Sequence, residues 1–246
     1  MKKKFAICFS GYPRFVRTTF NEVKKNFLDG LGNSYDIYAN LQWDFDDWKN
    51  MQIHHEFADT FKTNELEDFK ELYTPLNLKK LEVNKPFVFD VSSYDKLSLE
   101  PDMQISLEKS KDIFYRFKSQ YQGIADCVNL IENVNDYEYI VRMRTDLIFE
   151  TQINLEELET DVILNQNGHV AGWDRHYSDW FFIVPSKLIN FFDDLAKIED
   201  HFKDGIIHMH KLIENVAKPY GIEYEEFYVG TPSTSKMFGE LLRNRK

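Results

Sequence analysis

Residues Asp136–Glu150 read DYEYIVRMRTDLIFE. Tyr139 to Met143 is aromatic and β-branched and predicts a buried strand. The strand runs directly into Arg144, Thr145 and Asp146, and it carries Arg142 within it. On an extended chain residues 142, 144 and 146 share one face. The pattern therefore expects two guanidiniums and a carboxylate together where a buried strand meets its loop. Charges are costly to bury unless they are paired or bind something. Arginine grips phosphate through paired N–H bonds, and an aspartate can ligate Mg²⁺ or Mn²⁺ alongside phosphate oxygens. A diphosphate, with or without a metal ion, is the ligand this stretch points to. An internal Arg–Asp ladder is the structural alternative.

Upstream, within Met103–Asn133, the apolar residues Phe114, Phe117, Tyr121, Ile124, Val128 and Ile131 recur at spacings of three and four, which predicts a long helix. A helix leading into a buried strand is the crossover unit of a mostly parallel sheet. The same alternation extends both ways. Strands are expected at Lys4–Phe9, Tyr35–Trp43, Leu78–Val83, Pro86–Val91, Asp161–Leu164, Trp180–Val184 and Glu223–Val229. Helices are expected after Pro13 (Phe15, Thr19, Val23 and Phe27, ended by Gly30 and Gly32), at Glu65–Tyr73, from Pro185 through Leu195, and at about Gly205–Lys218. Asp44–Asp59 is acidic and aromatic and reads as a loop or short helix. The expectation is one α/β domain spanning residues 1–246, with a mostly parallel central sheet flanked by helices.

The formal net charge is −11, which argues against nucleic acid, since such a partner demands a basic footprint. A phosphorylated ligand must then be met by a local cluster, for which Arg14, Arg17, Arg142 and Arg144 are available, or by a metal. Cys8 and Cys127 lie in apolar patterns and read as buried thiols. The lack of a disulfide framework fits a reducing cytoplasm. Met1-Lys2-Lys3-Lys4 resembles a signal n-region, but the apolar run behind it is broken by Gly11-Tyr12-Pro13. No run approaches the roughly 20 apolar residues of a membrane span. The basic residues Arg243, Arg245 and Lys246 leave room for peripheral contact with anionic lipid, with a solvated end as the plainer reading.

Other segments hold chemistry-bearing residues. Ser10-Gly11-Tyr12-Pro13-Arg14 follows the first strand, and ligands of open α/β sheets bind at strand carboxyl ends. Gly11 lets backbone approach a ligand, and Arg14 opens a helix where an anion is favoured. An ordinary turn is the alternative. In Trp173-Asp174-Arg175-His176-Tyr177-Ser178-Asp179-Trp180, Asp179 stands before an apolar strand. It is placed to accept a proton from a sugar hydroxyl, with Trp173 and Trp180 available to stack on a sugar ring. A turn-capping Asp is the alternative. His208 and His210 are two residues apart, so they do not share a helix face, though His208 could join Asp146 on a metal. Ser119 and Gln120 are polar within the apolar helix pattern, facing ligand or solvent.

Taken together, FSGYPRF (Phe9–Phe15), DIYANLQWD (Asp36–Asp44), SQYQGIADCVNLI (Ser119–Ile131), YEYIVRMRTDLIF (Tyr137–Phe149) and SDWFFIVPSKLINFFDDL (Ser178–Leu195) resemble glycosyltransferase-like proteins of GT-A type, found in bacterial polysaccharide gene clusters and in large viruses. The resemblance covers roughly residues 4 to 230. It implies a single Rossmann-like domain that binds a nucleotide-sugar donor and moves the sugar to a hydroxyl of a glycan or lipid-linked glycan. Ser10, Gly11, Tyr12, Pro13 and Arg14 would line the nucleotide site, with Arg142, Arg144, Trp173 and Trp180 nearby. Asp146 would be the last residue of a degenerate Asp-x-Asp motif holding Mn²⁺ or Mg²⁺, and Asp179 the catalytic base of an inverting reaction. Arg144 stands where that motif has its first Asp, so the arginine itself is available to neutralise the leaving diphosphate. A binding module that kept the fold without catalysis is the alternative.

Overall fold

In the opening strand Phe5, Ile7 and Phe9 point to one side and Ala6 and Cys8 to the other, and all five are buried. A strand apolar on both sides belongs inside a sheet covered on each face. That is its place in the computed structural model, which describes residues 3–44, 64–87, 98–99, 107–153, 155, 158–168, 176–197, 206–207, 209–225 and 229–230.

The elements in chain order are β1 (Lys3–Gly11), α1 (Val16–Asn26), β2 (Tyr35–Gln42), α2 (Glu65–Tyr73), β3 (Leu78–Asn84), β4 (Ser98–Leu99), α3 (Leu107–Val128), β5 (Tyr137–Met143), β6 (Ile148–Phe149), β7 (Ile163–Gly168), β8 (His176–Pro185), α4 (Asn190–Ala196), β9 (Ile206–Ile207), α5 (Met209–Ala217), β10 (Ile222–Glu225) and β11 (Val229–Gly230). Seven strands form one sheet in the order β10-β7-β8-β5-β1-β2-β3. Only β8 runs antiparallel, against both β5 and β7. The other four pairings are parallel. The carboxyl ends of β5, β1, β2 and β3 thus gather at one edge.

One face of the sheet packs on Val16 and Val23 of α1 and on Leu66, Phe69 and Tyr73 of α2. The opposite face packs on Tyr121, Ile124 and Val128 of α3, Phe191 and Phe192 of α4, and Ile213 of α5. Phe9 meets Tyr73 at 4.8 Å and Phe69 at 5.4 Å between ring centroids. Each such pair adds about 0.5–1.5 kcal/mol beyond simple burial. Both thiols are free and buried.

The structure departs from the sequence reading at several ends. The segment after Pro185 is a 3₁₀ turn, Ser186–Leu188, before α4 begins. The helix expected from about Gly205 starts at Met209, because Ile206–Ile207 pairs with Ser98–Leu99 as a strand. The expected final strand is two pieces: β10 joins the main sheet, while β11 pairs with β6. Lys85–Phe87 is not strand, and the rest of the expected Pro86–Val91 strand lies outside the described residues, as does Asp44–Asp59 beyond Asp44.

Candidate active site

The site is built around the turn that leaves β1. Gly11 has φ +103°, which favours glycine, and Phe15 has φ +52°, which a bulky residue seldom adopts. These two reversals fold Tyr12–Arg14 back over the sheet edge. Phe15 offers α1 no side-chain cap, and the Val16 N–H instead donates to Glu65 Oε2 of α2 at 2.7 Å.

Thr145, on the turn after β5, fastens the two loops together. Its Oγ1 donates to the Tyr12 carbonyl (3.0 Å) and accepts from the Arg14 backbone N–H (3.1 Å), while its carbonyl accepts from Thr19 Oγ1 (3.0 Å). Ser10, Gly11, Tyr12, Pro13, Arg14, Arg142, Arg144 and Asp146 are thereby brought to one end of the sheet. Strand alternation does not do this, because β5 stops at Met143 and Thr145 and Asp146 form a turn.

Within the cluster, Arg144 holds Asp146 in a two-pronged ion pair, Nε to Oδ1 at 2.8 Å and Nη2 to Oδ2 at 2.6 Å. Arg14 Nη2 lies 3.6 Å from the same Oδ2. Burial would push the Asp146 carboxyl up, but Arg144 and Arg14 outweigh it and hold the group below the ordinary carboxylate range. Arg142 is 1% exposed and donates through Nε to Ser10 Oγ at 3.1 Å. Burial pulls its guanidinium down to about 10, against the opposing pull of Asp179. Among the described residues, buried Arg142 Nη1, Arg14 Nε and Asn40 Nδ2 have no hydrogen-bond partner. Asn40 sits beside Ser10 in the β1–β2 register. Unmet buried donors are costly, and three at one sheet edge call for acceptors.

Asp179 completes the group from β8. Between β7 residues Asn165 and Asn167 the partner strand runs from Phe182 to Tyr177, so β8 bulges there. Bulges re-aim side chains, and this one contains Asp179 and Trp180. Asp179 is buried, and its Oδ2 accepts from Gln120 Nε2 of α3. The Arg144 guanidinium carbon lies 5.8 Å from the Trp180 ring centroid. Arg17, by contrast, does not join the cluster, because it pairs with Asp68 and Glu71 of α2. Trp173 and His208 lie outside the described residues.

Thr145 and Asn40 were missed as site residues. Asn40 left a signal, a polar residue at a core-facing position of an apolar strand. Thr145 left none, since its role comes from a loop meeting a residue 133 positions away.

No family model matches the sequence, and no curated protein is similar to it. Among solved structures, the glycosyltransferase GlyE of Streptococcus pneumoniae TIGR4 is 11% identical over 92% of this chain and 46% of its own, with a TM-score of 0.47. The apo form of the same glycosyltransferase is 12% identical over 90% and 45%, with a TM-score of 0.45. The chain thus spans less than half the length of those proteins. A likeness this distant assigns no role to any residue here.

Proposed function

We propose that this chain is a glycosyltransferase of GT-A type that takes a nucleotide-sugar donor and transfers the sugar to a hydroxyl of a glycan or lipid-linked glycan. One observation carries the reading: Arg14, Arg142 and Arg144 converge at the carboxyl edge of the sheet, two of them with unmet buried N–H groups. Among the described residues, three guanidiniums face two carboxylates there, Asp146 and Asp179. A diphosphate supplies the missing acceptors and charge.

In the reaction, the acceptor hydroxyl gives its proton to Asp179 and its oxygen attacks the anomeric carbon. The bond from that carbon to the β-phosphate oxygen breaks, and the electron pair leaves on the nucleoside diphosphate. The charge that builds on the leaving group is what the arginines stabilise, already oriented by Ser10 and Asp146. Mn²⁺ or Mg²⁺ does not fit the described residues well, because both Asp146 oxygens already accept from Arg144 and no group of three potential ligands occurs among them. The arginines take the metal's part. Among the described residues no helix is long and apolar enough to cross a membrane.

The test is release of nucleoside diphosphate from a panel of UDP- and GDP-linked sugars, with Mn²⁺ and with EDTA. Turnover is expected in EDTA, and Asp179→Asn is expected to lower it by about 10²-fold or more while UDP still binds. Loss of all turnover in EDTA would return the diphosphate to a metal. The closed Arg144–Asp146 pair also favours a second reading, a nucleotide-binding module without catalysis. Binding with no turnover of any donor would support that reading.

A further inference from the structure

Resting on the transferase reading, we infer that Tyr121 is a further ligand-contacting residue, whose hydroxyl bonds to one hydroxyl of the sugar that the donor carries. Tyr121 is fully buried on α3, in the core that it shares with Ile140 and Phe182. Among the described residues its hydroxyl has no hydrogen-bond partner. An unmet hydroxyl is not by itself a site. Tyr73 of α2 has one too, but its ring lies against Phe9, Phe20 and Phe69. Tyr121 differs in its company.

Polar groups from two strands stand with it. Arg142 shares a sheet face with Ile140, the face that α3 covers, and lies opposite Phe182 in the β5–β8 register. Asp179 of β8 is bonded by Gln120, the residue before Tyr121. At the end of β2, Gln42 Nε2 donates to the Ser119 carbonyl (3.2 Å) and Oγ (3.3 Å), which fixes the same turn of α3. A Cβ at Gly123 would come within 3.3 Å of that Nε2, so the glycine leaves the amide its space. Burial and the neighbouring Asp179 push the Tyr121 phenol up, against the pull of Arg142, so at neutral pH it is a hydroxyl able to donate.

The pocket thus offers the Tyr121 O–H and the unmet Arg142 Nη1 as donors, with the Asp179 carboxylate nearby. Asp179 already opposes the charge of Arg142. A phosphate at this point would give up its hydration and face a carboxylate, whereas a neutral hydroxyl accepts from either donor without that penalty. All three side chains are buried, so the phenol is a floor met by a single hydroxyl of a larger ligand. In the reaction proposed above, the transferred sugar lies between the arginines on the diphosphate and the carboxylate at the acceptor, which makes that hydroxyl the sugar's. Without a ligand, the buried O–H costs stability.

The test is calorimetric titration of native protein, Tyr121→Phe and, as the control, Tyr73→Phe with UDP, GDP and a panel of UDP- and GDP-linked hexoses. Tyr121→Phe should bind free UDP or GDP as the native protein does. It should bind the hexose-linked form of the same nucleotide about tenfold more weakly, the worth of one buried hydrogen bond. Tyr73→Phe should change neither affinity. Each variant loses only an unmet hydroxyl, so both should fold and melt no lower than native protein. Equal affinities of native and Tyr121→Phe protein for every hexose-linked nucleotide overturn the inference, and so does a loss shared by free UDP or GDP. A Tyr121→Phe protein that melts well below Tyr73→Phe overturns it too, because the hydroxyl then has an internal partner. A native protein that binds no nucleotide removes the transferase reading and this inference with it. Nucleotide binding with no difference at Tyr121 removes the inference alone.

Discussion

Asp146 is gripped by two arginines, and this dual hold has a consequence for acid stability. Its carboxyl sits below the ordinary range because Arg144 and Arg14 outweigh burial. The native protein therefore takes up that proton less readily than the unfolded chain does. The stabilisation is complete above the unfolded value of about 3.9 and disappears as pH falls through the lower native value. Asp146→Asn should cost on the order of 2 kcal/mol at neutral pH, between the worth of exposed and buried ion pairs, since both arginines keep about a fifth of their side chains in water. Urea unfolding should show the gap between variant and native protein closing below about pH 4. A gap that persists unchanged in acid would mean that Asp146 contributes by packing, not charge. Arg142 works in the other direction: its charge is buried on a hydroxyl and opposed by desolvation.

The helix α1 illustrates how neighbouring elements position the site. Its first turn has no cap of its own, and the carboxylate of Glu65 reaches over from α2 to accept the Val16 N–H. That contact holds the Gly11–Phe15 reversal from behind. Glu65→Ala should destabilise the fold by about 2 kcal/mol, the worth of a buried charge-assisted cap. Glu65→Gln, which keeps an acceptor, should lose less. Thermal unfolding of the two variants checks the order, and equal losses would remove the cap from the account. The same elements mark what could be read from the chain alone. The strands β1, β2, β5 and β8 and the helices α2 and α3 announce themselves because their apolar runs or periods coincide with burial. The Arg-x-Arg-x-Asp stretch brings its charged groups to the sheet edge, but not in the way expected. Alternation was expected to align the three side chains, whereas the chain leaves the strand after Met143 and the ion pair draws Arg144 and Asp146 together. The bulge that turns Asp179 toward Gln120, and the left-handed Phe15, were not legible, because each depends on pairing with a distant segment.

Across the molecule as a whole, the charge balance sets an odd problem for a protein proposed to bind a diphosphate. The chain carries a formal net charge of −11, while among the described residues the cluster sets three guanidiniums against two carboxylates. From a distance an anionic ligand meets repulsion, and attraction takes over only at the sheet edge. The two fields respond differently to salt. The distant one is felt across about 30 Å at 0.01 M ionic strength and across only about 8 Å at 0.15 M. The near one acts between partly or fully buried groups, which salt screens much less. Adding salt therefore removes the obstacle faster than it weakens the grip. Stopped-flow association of UDP should speed up between about 0.01 M and 0.15 M salt, with a dissociation rate that changes little. For a protein whose basic site governs the approach of its ligand, the association rate falls steeply over the same range. A fall here would place the dominant field at the arginines and leave the acidic surface without influence on the encounter.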